Sequence, residues 1–294
     1  MRIGSALTLL WALVLLGVGG CASRAKPLPV YTGPTEPMPL VLEQIETNNK
    51  SLPTLFAQTY IEANIVDNKG KSRFVNTGGA VLIRKPRELL LVGRKDLAGR
   101  IFELGSTQDV FWMTIYLDEN TRWWGHYRNL GKPCMEQIPV RPDLVGEVLG
   151  IGDISLDFNQ PPIPTMTFNN DLDVYMVAWN ANGPGFWYTE KQIWYDRKTL
   201  LPRKVLLYDQ NGRVILRANL SQHRPVAVPD LPQEKWPRIA TFYDLLFLQT
   251  NSTMTIRLSD MALHNDKGQP KPGAITFHPD REVKEIQIDE DCEK

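Results

Sequence analysis

Cysteine and histidine are the side chains in this 294-residue sequence that could most readily act as nucleophiles or metal ligands. The four histidines stand at positions 126, 223, 264 and 278, and no two have the close spacing of a metal site on one element. The sequence contains no G-x-S-x-G, H-E-x-x-H or G-x-x-x-x-G-K-[ST] motif. Carboxylates are spread through predicted turns, and the acidic run Asp289–Asp291 is predicted to be a solvated tail. We therefore predict no catalytic residues, no metal, no cofactor and no enzymatic activity.

Among the three cysteines, Cys21 has the clearest chemical signal. A basic residue, Arg2, precedes an apolar run over 3–18, and this order is typical of a secretory signal peptide. The run is shorter than the about 20 residues that a membrane-spanning helix needs. The segment Val18-Gly19-Gly20-Cys21 resembles the bacterial lipobox, in which the cysteine is acylated and becomes the first residue. An ordinary signal peptide with an incidental cysteine and an uncleaved anchor are the alternatives.

The residues after Cys21 favour the lipidated form. Prolines recur through 24–40, and such a segment takes an extended path of roughly 3.1 Å per residue that could hold a domain away from a bilayer. Two acyl chains, such as palmitate, would make the anchoring stable. The predicted organisation is a signal peptide over 1–20, a lipidated cysteine and tether over 21–39, one folded domain over 40–290 and a tail over 291–294.

The other two cysteines, Cys134 and Cys292, lie in the part of the chain that is predicted to be exported. An exported compartment permits disulfides. The sequence alone leaves two alternatives open, a bond between Cys134 and Cys292 or two separate thiols.

Strand-like segments and tight turns alternate through most of the chain. Predicted strands occupy 58–65, 74–83, 88–94, 100–104, 109–117, 122–128, 172–181, 186–196, 202–208, 213–220, 239–248, 253–263 and 283–288. Helices are predicted at 39–49 and 143–149, and a proline-rich loop at 160–165. A parallel sheet would need a helix between successive strands, so we predict a mainly β fold with one curled antiparallel sheet.

Three predicted strands, at 109–117, 213–220 and 253–260, have one largely apolar face, which a long meander must curl to bury. With few helices to cover that face, the sheet could enclose a cavity for lipid or acyl chains, or it could fill itself with its own side chains. The predicted ligand-binding residues are Phe111, Met113, Ile115, Leu117, Met254, Ile256 and Leu258, with Leu144 and Val148 of the second helix as a lid.

The order of elements is similar to that of a known family. A helix near Leu42–Ile45 precedes a meander over 58–128, in which Gly105-Ser106 comes before Asp109-Val110-Phe111-Trp112. The segments that follow are Trp124-Gly125-His126-Tyr127, Ile138–Leu144 and Met254–Asp260. This order resembles the LolA/LolB-like superfamily of lipoprotein-sorting factors, in a divergent lipoprotein branch such as planctomycete-type bacteria carry. The resemblance covers 40–290 and implies an open antiparallel half-barrel of about a dozen strands, with a few short lid helices, that holds acyl chains.

The resemblance also implies a location and partners. A lipoprotein of this type receives lipids or acylated proteins at the periplasmic face of the outer membrane, with a role in lipoprotein sorting or envelope biogenesis. Ala22 follows Cys21 in place of the Asp that marks inner-membrane retention, which implies outer-membrane placement. The alternative is an RseB-like envelope sensor or scaffold that binds a periplasmic protein partner. Nucleic acid is not expected as a partner, because 33 basic residues balance 33 acidic ones.

Overall fold

The computed structural model describes most of the chain after residue 29. The described residues are 30–66, 70–95, 99–116, 120–130, 132, 134, 142–183, 185–229, 231–263, 275–277 and 282–292. The predicted signal peptide, Cys21 and Leu117 lie outside them. Within these residues, no helix has the length and apolar character that crossing a membrane requires.

Among the described residues, two α-helices lie where the sequence predicts them. Helix α1 spans Met38–Lys50 and helix α2 spans Pro142–Val148. Proline at the start of α1 suits a first turn, where its missing N–H would have no helical partner. Val41 and Ile45 of α1 and Val148 of α2 are each buried, so both helices turn an apolar face towards the sheet.

In the part of the chain that the structure describes, fourteen strands form one large, open, curled sheet, and the fold class is therefore mainly β, as the sequence predicts. The strands are β1 Thr54–Val66, β2 Ser72–Arg84, β3 Glu88–Lys95, β4 Gly99–Ser106, β5 Val110–Ile115, β6 Thr121–His126, β7 Ile163–Asn169, β8 Val174–Gly183, β9 Phe186–Asp196, β10 Pro202–Tyr208, β11 Val214–Ser221, β14 Phe242–Phe247, β15 Ser252–Ala262 and β16 Lys284–Gln287. Strands β12 Arg224–Pro225 and β13 Arg238–Ile239 form a separate pair. The order in the large sheet is β16-β6-β5-β4-β3-β2-β1-β15-β14-β11-β10-β9-β8-β7.

The two edges of the sheet differ from the sequence prediction. Strand β7 occupies part of the predicted loop 160–165, and it tolerates Pro164 because an edge strand can lack one ladder donor. Strand β16 pairs with β6 in parallel, whereas every other ladder of the large sheet is antiparallel. No hairpin joins β16 to β6, so the connection does not impose an antiparallel direction.

The inner face of the sheet, defined here as the face onto which α1 and α2 pack, contains one continuous core. Register places Ile256 beside Ile61 and Val205 beside Ile193, and all four side chains are buried. The same cluster of buried residues runs from β5 to β8 and includes both helices. Strands β1 to β5, β8 to β11, β14 and β15 therefore share one core with both helices.

Two segments outside the regular elements are also fixed to the sheet. Tyr31 packs its ring against Phe168 of β7 at 5.8 Å between centroids, and the backbone N–H of Glu36 donates to the Tyr175 hydroxyl at 2.8 Å. The part of the predicted tether that the structure describes thus lies on the domain. At the other end, the side chain of Asp289 is fully buried, so the prediction of a solvated run at 289–291 is wrong for this residue.

Candidate functional site

A cleft of about 700 Å³ opens between α2 and two sets of strands of the inner face. Leu144 and Glu147 come from α2, Leu89 from β3, and Lys191 and Leu207 from β9 and β10. Ligand pockets in proteins have volumes of about 300–1,000 Å³, so the cleft has the size of a small-molecule site.

The cleft has an apolar floor that continues the hydrophobic core. Its apolar lining includes Ile83, Leu89, Leu130, Leu144, Ile151, Leu207 and Ile215. Six of these seven side chains are at most 8% exposed, and the remaining one, Leu130, packs against the Phe111 cluster. A ligand in the cleft would therefore lie on packed hydrocarbon.

An ion pair crosses the cleft between helix and sheet. The Lys191 ammonium donates to Glu147 Oε2 at 2.7 Å and lies 5.2 Å from the ring centre of Trp179. The Lys191 charge holds the pKa of Glu147 below its ordinary value. Burial alone would lower the pKa of Lys191, but the pairing with Glu147 outweighs it and raises that pKa. Both groups are thus charged at neutral pH, and they make this part of the cleft polar.

A second lysine on the cleft wall is mostly buried. Lys85 donates from Nζ to Asp153 Oδ1 at 3.0 Å and to the backbone carbonyl of Asn49. Burial lowers the pKa of Lys85, against the opposing effects of Asp153 and Glu46. These bonds connect the turn between β2 and β3 to α1 and to the segment after α2.

Next to the cleft lies a second cavity of about 460 Å³, called here the basic pocket. Its described lining consists of Arg87, Gln108, Asp109, His126, Tyr127, Arg128 and Leu130. Arg87, Tyr127 and Leu130 also line the cleft. The two cavities are therefore adjacent and share a wall.

The buried carboxylate of Asp289 supports one wall of the basic pocket. Its Oδ2 accepts from the backbone N–H and Nδ1 of His126, both at 2.9 Å, and from Asn129 Nδ2 at 2.8 Å. Burial alone would raise the pKa of Asp289, but these bonds and one from Gln287 bring it to about 2. An ionised carboxylate only accepts hydrogen bonds, so Nδ1 of His126 carries the proton in this contact.

Similarity to known proteins is found in solved structures, and it concerns the fold. No family model matches the chain, and no curated protein matches it by sequence. A DUF1329 family protein from Desulfovibrio piger is similar over 82% of this chain and 100% of its own, with a TM-score of 0.52 and 11% identity. A LolA superfamily protein from Nitrosomonas europaea matches 81% of this chain and 96% of its own, at 0.47 and 14%. An outer membrane lipoprotein-sorting protein domain from Vibrio parahaemolyticus matches 76% and 90%, at 0.47 and 15%.

The fold is shared with the DUF1329 family protein from Desulfovibrio piger. The mainly β fold with one open, curled antiparallel sheet and few helices, which the resemblance implied, is confirmed. The cavities of this chain, and not its fold, indicate what it binds.

Most of the predicted ligand-binding residues lie in the packed core of the inner face. Met113, Met254, Ile256, Leu258 and Val148, called here the packed region, are at most 6% exposed and belong to one cluster. Ile115 is half-buried against the same cluster. Their side chains contact other side chains of the protein, and ligand binding by them remains a prediction.

Of the remaining predicted residues that the structure describes, one lines the cleft and one lies in a separate cluster. Leu144 lines the cleft. Phe111 packs with Ile288 in a second cluster, beside Tyr127 of the basic pocket. Lipidation of Cys21 and a ligand contact of Leu117 fall outside the described residues.

Sequence reasoning missed the charged residues of the cleft. In strand β9, Lys191 has the same parity as Ile193 and Tyr195, both of which are buried on the inner face. The sequence signal for a charged site was a lysine at a strand position that faces the inner side of the sheet. Such a charge needs a partner or water. Glu147 of α2 supplies that partner.

Cys134 and Cys292 form a disulfide in the structure. Their Cα atoms are 5.3 Å apart, and the bond joins positions separated by 158 residues in sequence. It fastens the end of the chain to the segment after β6, close in sequence to Asp289. In the described residues, no group of three or more His, Cys, Asp or Glu side chains is placed to hold a metal ion.

Proposed function

We propose that this protein is a non-enzymatic lipid-binding protein of the bacterial envelope, which takes acyl chains of lipids or lipoproteins into the cleft. The observation that carries the proposal is the cleft of about 700 Å³ between α2 and the inner face, with its apolar floor. A chain of about ten methylenes would contribute roughly 8 kcal/mol from burial at about 0.8 kcal/mol each, before the costs of association.

The hairpin between β8 and β9 offers a route from a membrane into the cleft. Phe186 and Trp187 are 47% and 53% exposed at its tip, and Tyr188, the next residue, lines the cleft. Aromatic side chains are favoured at membrane–water interfaces. We therefore propose that this tip touches the bilayer when a lipid enters.

Acylation of Cys21 would keep the domain at the membrane, and we propose placement on the periplasmic face of the outer membrane. The support is the lipobox-like segment and the Ala at position 22. The proline-rich residues after Cys21 would act as a semi-rigid spacer between the bilayer and the domain.

The test uses residues 30–294, which contain every described element and lack the acylated cysteine. Exported behind a signal peptide without a lipobox and purified from the envelope of its own host, this chain should show bound lipid in native mass spectrometry, and the delipidated protein should bind a fluorescent fatty acid. The blocking variant is Gly146→Trp, because Gly146 lines the cleft and an added Cβ meets no atom within 4 Å. We expect at least a tenfold loss of binding in it.

Gly146→Ala is the matched control, since it removes the same glycine but leaves the cleft open. Alanine also favours the helix over glycine by about 1 kcal/mol, so the variant should fold at least as well as the wild type. Equal fatty-acid binding by Gly146→Trp and Gly146→Ala would contradict the assignment of the cleft. A lipid-free chain that co-purifies with a protein partner would favour the sensor or scaffold role.

A further inference from the structure

The basic pocket differs from the cleft in the balance of its charges. Its described lining has two guanidinium groups, Arg87 and Arg128, against one carboxylate, Asp109. The described lining of the cleft has three cations, from Lys85, Arg87 and Lys191, and four carboxylates, from Glu88, Glu147, Glu190 and Asp209. By this count the described lining favours an anionic group in the basic pocket over the cleft.

The residue types in the basic pocket suit a phosphate group. Guanidinium groups bind phosphate oxygens through paired N–H donors, and these charge-assisted bonds are about twice as strong as neutral ones. The Arg87 guanidinium lies 5.0 Å from the ring centre of Tyr127, which limits the positions it can take. His126 and the amide of Gln108 add polar groups to the same walls.

The wall that holds His126 is fixed from behind. Asp289 accepts from both the backbone and the ring of His126, and Asn129 donates to the same carboxylate oxygen. The Asn129 side-chain oxygen in turn accepts from Lys132 Nζ at 2.7 Å. The ring of His126 therefore keeps its position without a ligand, which lowers the entropic cost of binding one.

We propose that the basic pocket binds the phosphate of an anionic amphiphile whose acyl chain lies in the cleft. Arg87, Tyr127 and Leu130 line both cavities, so a headgroup and its chain could occupy them at the same time. This inference rests on the proposed function and adds the class of ligand: a phosphate-bearing lipid in preference to a neutral one.

The experiment compares two probes with the same chain, 1-lauroyl-lysophosphatidylglycerol and monolaurin, on residues 30–294 below their critical micelle concentrations. The wild type should bind the phosphate-bearing probe about tenfold more tightly, since hydrogen bonds to charged groups have about this effect. Arg128→Gln should remove most of that preference without changing the affinity for monolaurin, because Arg128 lines the basic pocket and not the described cleft.

Arg217→Gln is the matched control, because Arg217 is exposed on β11, does not line either cavity and loses the same charge. Its preference should equal that of the wild type. Equal binding of the two probes by the wild type, or an unchanged preference in Arg128→Gln, would overturn the headgroup assignment while leaving the acyl site intact. Failure of both probes to bind would instead contradict the proposed function.

In a third arm, isothermal titration calorimetry measures the binding of inorganic phosphate alone. We expect it to bind at least tenfold more weakly than the phosphate-bearing probe, because it lacks the chain that the cleft takes up. Inorganic phosphate that binds as tightly as the lipid, with the same dependence on Arg128, would overturn the assignment in favour of a free anion site.

Discussion

The packed region and the cleft belong to the same inner face, yet only one of them leaves open volume. In the packed region, Met113, Ile256 and Val148 come from β5, β15 and α2 and are at most 2% exposed. In the cleft, Leu144 and Leu207 are also buried, but Lys191 and Glu147 lie between the helix and the sheet. Both regions contain buried apolar side chains, and the cleft differs from the packed region by its charged side chains.

This difference shows what keeps the inner face from closing completely. Aliphatic side chains can interdigitate until no space remains, as they do in ordinary cores. Charged groups resist full burial because they must stay hydrated or paired. Lys191 and Glu147 keep 23% and 52% of their side-chain surface exposed, so the inner face stays open where they lie. The open volume of the inner face thus coincides with the ion pair between Lys191 and Glu147.

The largest effect should come from truncating the packed region. We expect Ile256→Ala to lower the free energy of unfolding by about 2–5 kcal/mol, because the methyl groups that it removes leave a cavity in a filled core. Tyr188→Ala, on the half-exposed wall of the cleft, should cost less than about 1 kcal/mol. Urea unfolding monitored by circular dichroism measures both values. Similar losses in the two variants would mean that the regions do not differ in packing.

The second-largest loss of stability should come from removing the disulfide. This bond lies close in sequence to Asp289, which supports the basic pocket, and is not part of the packed region. The double variant Cys134→Ser/Cys292→Ser should lose about 2–4 kcal/mol, since the bond closes a loop across 158 positions. Reduction of the wild type should produce the same loss, and reducing agent should not affect the double variant. A loss below about 0.5 kcal/mol would show that the unfolded chain is not restricted by this bond.

The fold could be predicted from the sequence because its signals are local. Alternating apolar residues and turns rich in Gly, Asn and Asp identify most strands within a few residues, and prolines and apolar spacing identify both helices. Strand β7 was missed because Pro161, Pro162 and Pro164 indicate a loop unless the strand is known to lie at an edge. Edge position depends on the order of the whole sheet, which no local pattern contains.

The candidate site was harder to predict because its residues meet only in three dimensions. The apolar pattern in strands β5 and β15 led to Met113 and Ile256, and such residues mostly pack against one another. The curl of the sheet instead brings Leu89 and Leu207 to the same cleft. It likewise brings Arg87 and His126 to the basic pocket. Asp289 belongs to an acidic run, and only the structure shows that its partners are His126 and Asn129.

A smaller effect is expected at Asp289, and it depends on pH. Asp289→Asn should cost about 1–3 kcal/mol at neutral pH, because a buried set of donors loses its charged acceptor. The folded-state pKa of about 2 lies below the ordinary 3.8, so the stabilisation by Asp289 is fully present above about pH 4 and is lost as the pH falls towards 2.

Denaturant titrations of the wild type and Asp289→Asn between pH 7 and pH 2 measure this contribution. The two stability curves should converge as the pH falls through the range from 4 to 2. Asp244→Asn, which changes an exposed carboxylate on β14, is the control and should follow the wild type throughout. Parallel curves for Asp289→Asn and the wild type over the whole range would contradict a depressed pKa at Asp289.

The smallest effect on stability should come from the ion pair that crosses the cleft. Glu147→Gln should change the free energy of unfolding by less than about 1 kcal/mol, because the Glu147 carboxylate is half-exposed and exposed pairs are weak and screened by salt. The same change leaves the Lys191 ammonium without its carboxylate, so the cleft becomes more positive. Binding of 1-lauroyl-lysophosphatidylglycerol should therefore strengthen by a few-fold at low salt, whereas binding of monolaurin should not change. Glu147→Asp keeps the charge and serves as the control; if it strengthens phosphate-probe binding as much as Glu147→Gln does, charge is not what distinguishes the cleft from the packed region.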